Sequence, residues 1–405
     1  MTRLMTLARE GRADDWRPLT RGLRDGLVAH ARATSPYWAE CIGADTPFEA
    51  IPPLTKSIVH DRREDLRCAG VPDERCVPTK TSGSSGEPGR FLMDAHAFGA
   101  HLAGRNALQA MSGIPLDATL SFMVNAERPV TELPADWNWF SGADLSDAAV
   151  TMLMDTWSAL GHYWILARSS ALATIAATME RLGLRPDPAP RAVVGSMDTL
   201  TAQARRDIGR AFGSPVRAWY GCTEITGYLA GTVGDGDAYA VNPFLCHIEV
   251  VDDQARPLPP GRLGRILITD LQNRVQPMIR YEVGDLGRLA TDGAGAWPVL
   301  ESLEGRTSEL MHRADGSPLT LLDLGHRLFG VSDHTRWIRG YQFVQQRDGT
   351  IEMHTVWREE PGDAVRARIL DDLRSAAGPD TPLRLVPVEA LGTLPSGKRW
   401  LVRHA

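Results

Sequence analysis

One glycine- and hydroxyl-rich segment could bind phosphate: residues 81–90 read TSGSSGEPGR and lie between two apparent strands. Glycine lets the backbone approach a ligand closely, so backbone N–H groups and hydroxyls here could wrap a phosphate. The segment is not a Walker loop, because no GK[ST] follows Gly83 at the required spacing. A polar hairpin loop is the alternative interpretation. The residues that could contact phosphate are Thr81, Ser82, Gly83, Ser84, Ser85 and Gly86.

A second segment combines an aromatic ring, a glycine, a hydroxyl and a carboxylate within five positions. Residues 220–224 read YGCTE and end an apolar run. The ring of Tyr220 could stack on a base, and the carboxylate of Glu224 could hold a magnesium ion on phosphates. The alternative is a strand end with a buried tyrosine and a solvent-facing glutamate.

A third segment places an aspartate beside a glycine at the expected end of a strand. Residues 278–287 read MIRYEVGDLG, and the Asp285 carboxylate suits acceptance of hydrogen bonds from both hydroxyls of a ribose. An ordinary type I turn would also explain the pattern. Gly305-Arg306 follows, and LPSGKR near the C-terminus places Lys398 on a turn, where a lysine is usually solvated.

The order of these five elements resembles the adenylate-forming superfamily of acyl- and aryl-CoA synthetases, peptide-synthetase adenylation domains and luciferases. Within it the chain is similar to the phenylacetate–CoA ligase branch and its capsule-biosynthesis-type relatives. The supporting segments are PPLTK before the loop, PMIRYEVGDLG, and GYQFVQQ in the C-terminal part. The resemblance covers residues 50–405.

The resemblance implies where ATP would bind. The loop 81–86 would hold the β- and γ-phosphates, Tyr220 would pack on the adenine, and Asp285 would bind the ribose hydroxyls. The remaining nucleotide contacts that it implies are Gly221, Arg306 on the ribose or phosphate, and Ser196, a weaker match, in the adenine-flanking loop.

The resemblance also implies the catalytic residues. Thr223 would contact the α-phosphate, and Glu224 would be the magnesium ligand. Lys398 would swing in with the C-terminal domain and contact both the attacking carboxylate and the α-phosphate. Attack of a carboxylate on phosphorus brings two anions together, so charge neutralisation and alignment matter more than a protein nucleophile. A lysine on a mobile lid can also leave before a second half-reaction.

Two departures from the superfamily pattern lie in the loop and in the hinge, and a third lies near the C-terminus, where Arg399 and Arg403 flank the motif in place of an arginine three positions after the lysine. Gly89 and Arg90 stand where many members have a lysine after the proline of the loop. The hinge usually reads GR-x-D, and Ser308 replaces its aspartate here.

Composition limits the class of protein. The 405 residues carry a formal net charge of −6 and are 43% hydrophobic and 23% charged, which predicts a globular protein without a nucleic-acid partner. The most apolar stretch, 150–167, is interrupted by Asp155 and His162, so no membrane contact is expected. Five scattered cysteines and an N-terminus unlike a secretory signal predict a cytoplasmic protein with reduced thiols.

Alternation of strand and helix patterns predicts an α/β fold. We expect a large N-terminal domain of layered mixed sheets and helices over residues 1–307, and a small mobile α+β lid domain over 308–405. The predicted helices span 95–111, 171–182, 201–212 and 363–376. The predicted strands span 191–195, 216–220, 247–253, 264–270, 351–357 and 383–389.

The aromatic-rich region between residues 120 and 167 bears on the substrate. It lies where the branch builds its acyl pocket, which favours an aromatic acid, although such a stripe is more often plain core. The predicted pocket residues are Trp137, Trp139, His162 and Tyr163.

Three functions remain open on the sequence. The first is an AMP-forming ligase that adenylates an aromatic carboxylic acid, releases pyrophosphate and passes the acyl group to CoA or another acceptor. The second hands the activated acid to an amine, or activates nitrite for diazotisation of an aryl amine in natural-product biosynthesis. The third is a non-catalytic nucleotide-binding relative. The predicted ligands are ATP, Mg²⁺, CoA and small-molecule substrates, and a homodimer is left open.

Overall fold

The chain divides into two compact units, described here from a computed structural model. The first unit comprises Met1–Leu200 and Asp207–Leu303, and the second comprises Thr201–Arg206 and Glu304–Ala405. The residues that the structure describes are 13–80, 90–124, 138–142, 144–225, 227–232, 236–290, 297–325, 327–328, 332, 334–392 and 400–405.

Helices of the first unit begin and end at residues suited to those positions. Asp94 caps α5, its Oδ1 accepting a hydrogen bond from the N–H of Ala97 at 2.7 Å. α7 ends at Gly183, which has φ +66 and a left-handed conformation. In the described part of the chain, no helix is both long enough and apolar enough to span a bilayer. The helices are α1 (Ala13–Thr34), α2 (Pro36–Cys41), α3 (Lys56–Asp61), α4 (Arg63–Leu66), α5 (Ala95–Met111), α6 (Asp147–Leu160), α7 (Ser169–Leu182) and α8 (Ala202–Phe212), whose first turn belongs to the second unit.

Two sheets form in the first unit, and the described strands of the larger one follow the order β10-β11-β12-β13-β9-β8-β7-β6-β5-β3-β4. Strands β3 to β7 pair in parallel, with α6, α7 and α8 as crossovers, and β7 to β9 and β10 to β12 pair antiparallel. The predicted α/β class is therefore confirmed. The strands are β1 (Cys76–Lys80), β2 (Arg90–Asp94), β3 (Thr119–Val124), β4 (Asn138–Ser141), β5 (Tyr163–Arg168), β6 (Val193–Ser196), β7 (Val216–Cys222), β8 (Gly227–Thr232), β9 (Tyr239–Val241), β10 (Cys246–Val251), β11 (Gly264–Asp270), β12 (Tyr281–Leu289) and β13 (Val299–Arg306).

Strand β12 contains a bulge where the sequence predicts an end. The expected break at Gly284 is wrong, because the strand continues to Leu289. Its register against β11 shifts between Glu282 and Leu286, so the residues between them lack the regular ladder. Gly284 has φ +83, a conformation that glycine adopts without strain. The bulge sets Asp285 out of the regular ladder.

A buried ion pair anchors the start of β12. Arg280 is 1% exposed, and its Nε donates to Glu249 Oε2 at 3.1 Å. Its Nη1 donates to the carbonyl of Glu49 at 2.8 Å, and its Nη2 to that of Ala255 at 2.7 Å. Burial raises the pKa of Glu249, and Arg280 opposes that shift. The guanidinium thus ties three chain segments together.

Replacing Arg280 with methionine is expected to lower the free energy of unfolding by about 3–5 kcal/mol, because it leaves the Glu249 carboxylate buried without its partner. Urea denaturation measures this change. The control is Arg181→Met, which breaks an exposed ion pair with Asp147 and should cost about 1 kcal/mol or less. Equal losses in the two variants would contradict the structural role of Arg280.

The second unit is an α+β structure with its own core. Its four-stranded sheet has the order β18-β17-β16-β19. From α10, Ile369 and Leu373 are fully buried as the helical spacing predicts, while Val365 packs partly buried against the same core. The elements are β14 (Met311–His312), β15 (Pro318–Leu319), α9 (Leu321–Gly325), β16 (Ile338–Gln345), β17 (Ile351–Trp357), α10 (Asp363–Ala377), β18 (Leu383–Pro387) and β19 (Val402–His404).

Candidate active site

The predicted phosphate loop emerges from a two-stranded hairpin. β1 and β2 pair antiparallel up to Lys80 opposite Arg90, so the two ends of the loop start side by side. β1 also contacts the short 3₁₀ turn Thr223–Ile225. The hairpin that flanks the segment 81–89 therefore packs next to the YGCTE segment. The loop residues Thr81, Ser82, Gly83, Ser84, Ser85 and Gly86 lie outside the described residues.

Glu224 lies in that 3₁₀ turn, directly after β7, and its side chain is only 10% exposed. Its Oε1 accepts a hydrogen bond from the hydroxyl of Tyr281 at 3.0 Å. The ammonium of Lys56 lies 3.8 Å from the same oxygen. The alternative of a solvent-facing glutamate is therefore wrong: the carboxylate is held inside the unit by a neutral donor and a nearby cation.

Tyr220 and Asp285 contact each other directly. The Tyr220 hydroxyl donates to Asp285 Oδ2 at 2.8 Å. Their strands, β7 and β12, are four positions apart in the sheet order, which would separate them by about 19 Å in a flat sheet. The sheet must therefore curl strongly, and the curl brings two segments distant in sequence to one place.

Ser196 and Gly221 lie at the carboxyl ends of neighbouring strands. The Ser196 hydroxyl donates to the carbonyl of Trp219 at 2.8 Å, and its side chain is buried. A Cβ added to Gly221 would lie 2.0 Å from the carbonyl oxygen of Gly227 on β8. Only glycine fits at that position. Both residues thus shape the backbone beside Tyr220.

Cys222 lies close enough to both predicted ligand-binding carboxylates for their charges to act on its thiol. Burial raises the pKa of its thiol well above the ordinary value, and the charges of Glu224 and Asp285 raise it further. The sulfur therefore stays protonated and is a poor nucleophile at neutral pH.

Together these residues form a site that can bind a charged ligand without a protein nucleophile. Tyr220 offers a ring, Asp285 offers acceptors for hydroxyl groups, and Glu224 offers an anionic oxygen for a cation. Of these residues, Glu224 lies in the 3₁₀ turn that contacts β1 of the hairpin, and Tyr220 and Asp285 contact each other. This combination suits a nucleotide that carries several phosphates.

Comparisons with known proteins support this interpretation. No family model matches the chain. A curated phenylacetate-coenzyme A ligase from Pseudomonas putida is 28% identical over 153 residues, a match that covers 36% of this chain and 34% of the relative. The match thus spans about a third of the length of that relative.

Solved structures match over far more of the chain. A 2-hydroxyisobutyryl-CoA ligase in the postadenylation state, in complex with an adenylate, has a TM-score of 0.79 at 15% identity and covers 96% of this chain and 90% of its own. The chain has the fold of the adenylate-forming superfamily. O-succinylbenzoate coenzyme A synthetase from Bacillus subtilis, in complex with ATP and magnesium ion, has a TM-score of 0.56 at 16% identity, with coverages of 80% and 68%. The resemblance predicted from the motifs is confirmed.

The adenylate-forming fold implies magnesium-ATP, and the described residues fit it. No group of three or more His, Cys, Asp or Glu side chains within the described ranges could form a metal cage. Magnesium bound with a nucleotide uses one or two carboxylates together with phosphate oxygens, so it needs no such cage. Glu224, nearly buried and in the turn that contacts the loop hairpin, offers a carboxylate of this kind, and its role as a magnesium ligand stays a prediction.

The catalytic lysine predicted for an adenylate-forming enzyme, Lys398, lies outside the described residues. Arg306 belongs to the second unit and is exposed at the end of β13, before the 3₁₀ turn Thr307–Glu309. The roles of both residues in binding nucleotide stay predictions.

The predicted acyl-pocket residues lie apart from the nucleotide residues. Tyr163 is fully buried, stacks on Trp157 and donates its hydroxyl to the carbonyl of Pro188 at 3.1 Å. It begins β5, whereas Ser196 ends the neighbouring parallel strand β6, so the two lie at opposite edges of the sheet. The side chain of Tyr163 is core, which is the alternative that the sequence left open.

The other predicted pocket residues lie on different elements. His162 precedes β5 and is partly exposed, with its ring between Asp117 and Arg191. Trp139 lies on the edge strand β4 and packs edge-on against Phe122 at 5.4 Å. Trp137 lies outside the described residues. His162 and Tyr163 thus lie at the strand ends opposite to Ser196.

Sequence reasoning assigned no role to two residues that the structure places on Glu224. Lys56 appears in the PPLTK segment and Tyr281 in the RYEVGD segment, and both segments served only as marks of resemblance. Their position in these motifs was the sequence signal that could have identified them. Only the folded structure shows that both side chains lie next to the Glu224 carboxylate.

Replacing Asp285 with alanine is expected to weaken ATP binding by about 10- to 100-fold, because two hydrogen bonds to a charged acceptor are lost. Isothermal titration calorimetry measures the dissociation constant. Asp253→Ala, on an exposed turn, is the matched control. Tyr220→Phe removes only the hydroxyl that orients Asp285, and should have a smaller effect. An unaltered ATP affinity in Asp285→Ala would remove this residue from the ribose site.

Proposed function

We propose that the protein is an AMP-forming ligase. It adenylates an aromatic carboxylic acid with ATP, releases pyrophosphate and passes the acyl group to the thiol of CoA. The carrying observation is that Glu224 and Asp285 both lie near Cys222, each carboxylate accepting a hydrogen bond from a tyrosine hydroxyl, with Glu224 in the turn that β1 contacts. Two carboxylates held in fixed positions suit the binding of a nucleotide and its cation.

The first half-reaction joins the acid to the α-phosphate. A carboxylate oxygen of the acid attacks the α-phosphorus of ATP, and the bond from that phosphorus to the pyrophosphate oxygen breaks. In this proposal Asp285 accepts hydrogen bonds from the ribose, Tyr220 packs on the adenine, and Thr223 contacts the α-phosphate. These contacts hold the phosphorus in line with the incoming oxygen.

Charge neutralisation is the second requirement. Magnesium, when bound, supplies positive charge to the phosphates, and Glu224 is the residue that would hold it. The loop 81–86 binds the β- and γ-phosphates through its N–H groups and hydroxyls. Lys398, carried by the second unit as a lid, reduces the repulsion between the attacking carboxylate and the α-phosphate.

In the second half-reaction the thiol of CoA attacks the acyl carbonyl and AMP leaves. Lys398 contributes only to the first half-reaction, so movement of the lid clears the site for the thiol. The curated relative of this chain is a coenzyme A ligase, which supports CoA over an amine as acceptor.

Pyrophosphate release tests this proposal. Purified protein with magnesium-ATP is given benzoate, phenylacetate or anthranilate, with acetate as the aliphatic control and nitrite plus an aryl amine as a separate arm. Each arm is run with and without CoA. Release with an aromatic acid, followed by thioester formation on adding CoA, is expected. Release with nitrite alone, or silence in every arm, would contradict the proposal.

A further inference from the structure

Lys56 begins α3 and is placed by two backbone interactions. Leu54 forms a parallel bridge with Tyr281: the N–H of Leu54 donates to the carbonyl of Arg280 at 3.1 Å, and the N–H of Glu282 donates to that of Leu54 at 2.9 Å. This short pairing therefore fixes both partners of Glu224. Tyr281 is one of the two bridged residues, and Lys56 follows the other, Leu54, by two positions.

The contact between Lys56 and Glu224 does not explain the presence of a lysine. The ammonium is 3.8 Å from Oε1, beyond a hydrogen bond, and the lysine side chain is 57% exposed. Such an open pair contributes little to stability. Glu224 is already bonded to the hydroxyl of Tyr281. The charge of Lys56, on a flexible stem, can therefore reach a ligand next to that carboxylate.

Charge at the site favours an anionic ligand for this lysine. The segment 81–90 contains no lysine and includes Glu87. The triphosphate of ATP exceeds the charge of one magnesium ion, and Glu224 adds a further negative charge beside it. The whole sequence holds three lysines among 44 basic residues, and the structure places Lys56 next to the predicted magnesium ligand.

We propose that Lys56 is a phosphate-binding residue, whose ammonium contacts the β- or γ-phosphate of ATP and then the departing pyrophosphate. This inference rests on the proposed function, because it requires that ATP binds beside Glu224. The glycine-rich loop contains no lysine, and in this proposal Lys56, which lies outside the loop, supplies the positive charge to the phosphates.

Calorimetric titrations of ATP and AMP into Lys56→Gln test the inference. We expect the affinity for magnesium-ATP to fall about tenfold or more, with the affinity for AMP within about twofold of the wild type, because AMP lacks both outer phosphates. Lys56→Arg should restore part of the ATP affinity. Arg63→Gln, an exposed cation on the following helix, is the matched control and should change neither value.

Titrations without magnesium separate a direct contact from an effect through Glu224. With EDTA present, Lys56→Gln should still weaken ATP binding. The role of Lys56 would be overturned if Lys56→Gln and wild-type protein bound ATP equally well in EDTA. It would also be overturned if the substitution weakened ATP and AMP binding equally, or weakened neither. Failure of the wild-type protein to bind magnesium-ATP would instead overturn the proposed function itself.

Discussion

Replacing Glu224 with glutamine is expected to lower the rate of adenylate formation by about 10²- to 10³-fold, the scale of losing one preorganised electrostatic group. The substitution keeps the size of the side chain and an oxygen that can accept from Tyr281, so the turn should remain folded. It removes the negative charge that, in the proposed function, holds the cation on the phosphates. The variant should therefore form adenylate more slowly and need a higher magnesium concentration to reach its maximal rate.

The measurement is the rate of pyrophosphate release as a function of magnesium concentration. Glu64→Gln, an exposed acid on α4, is the matched control and should behave as the wild type. Tyr281→Phe leaves the charge of Glu224 but removes its hydrogen bond, so its effect should be smaller. A Glu224→Gln variant with unchanged rate and magnesium dependence would show that another group holds the cation.

Replacing Lys398 with alanine is expected to have a larger effect, about 10³-fold or more on adenylate formation, with ATP binding nearly unchanged. A single cation that meets the charge of a phosphoryl-transfer transition state contributes on this scale. The prediction rests on the LPSGKR motif, since Lys398 lies outside the described residues. In the proposed reaction the lysine contacts the reacting carboxylate rather than the adenosine, so the loss should appear in rate and not in affinity.

Single-turnover acyl-AMP formation measures the rate, and calorimetry measures ATP affinity. Arg399→Ala changes the neighbouring cation and should retain most of the rate. Equal rates for Lys398→Ala and wild-type protein would remove Lys398 from the reaction. A parallel loss of ATP affinity would make it a binding residue only.

Local patterns predicted many of the elements well. The helix over 95–111 has the predicted bounds because the apolar period and the Asp94 cap agree. The strand over 351–357 also matches, because it alternates and ends at turns. The bulge in β12 was not predictable in this way. A glycine beside an aspartate is typical of a turn, and only the pairing with β11 shows that the strand continues.

The site was predictable in its residue types and not in its contacts. Tyr220 and Asp285 could each be singled out, but their hydrogen bond depends on the curl of the sheet, which no local pattern encodes. In the aromatic-rich region, hydrophobicity alone does not distinguish a pocket from core. Tyr163 lies in that core because it starts a central strand rather than ending one.

The most direct test of adenylation follows an oxygen atom. The acid that supports pyrophosphate release is labelled with ¹⁸O in its carboxylate and incubated with magnesium-ATP and CoA, and the AMP is analysed by mass spectrometry. If a carboxylate oxygen attacks the α-phosphorus, that oxygen stays on the phosphate when the thiol displaces AMP. We therefore expect AMP carrying one ¹⁸O. Unlabelled AMP, or ADP with ¹⁸O in inorganic phosphate, would contradict an acyl-adenylate intermediate.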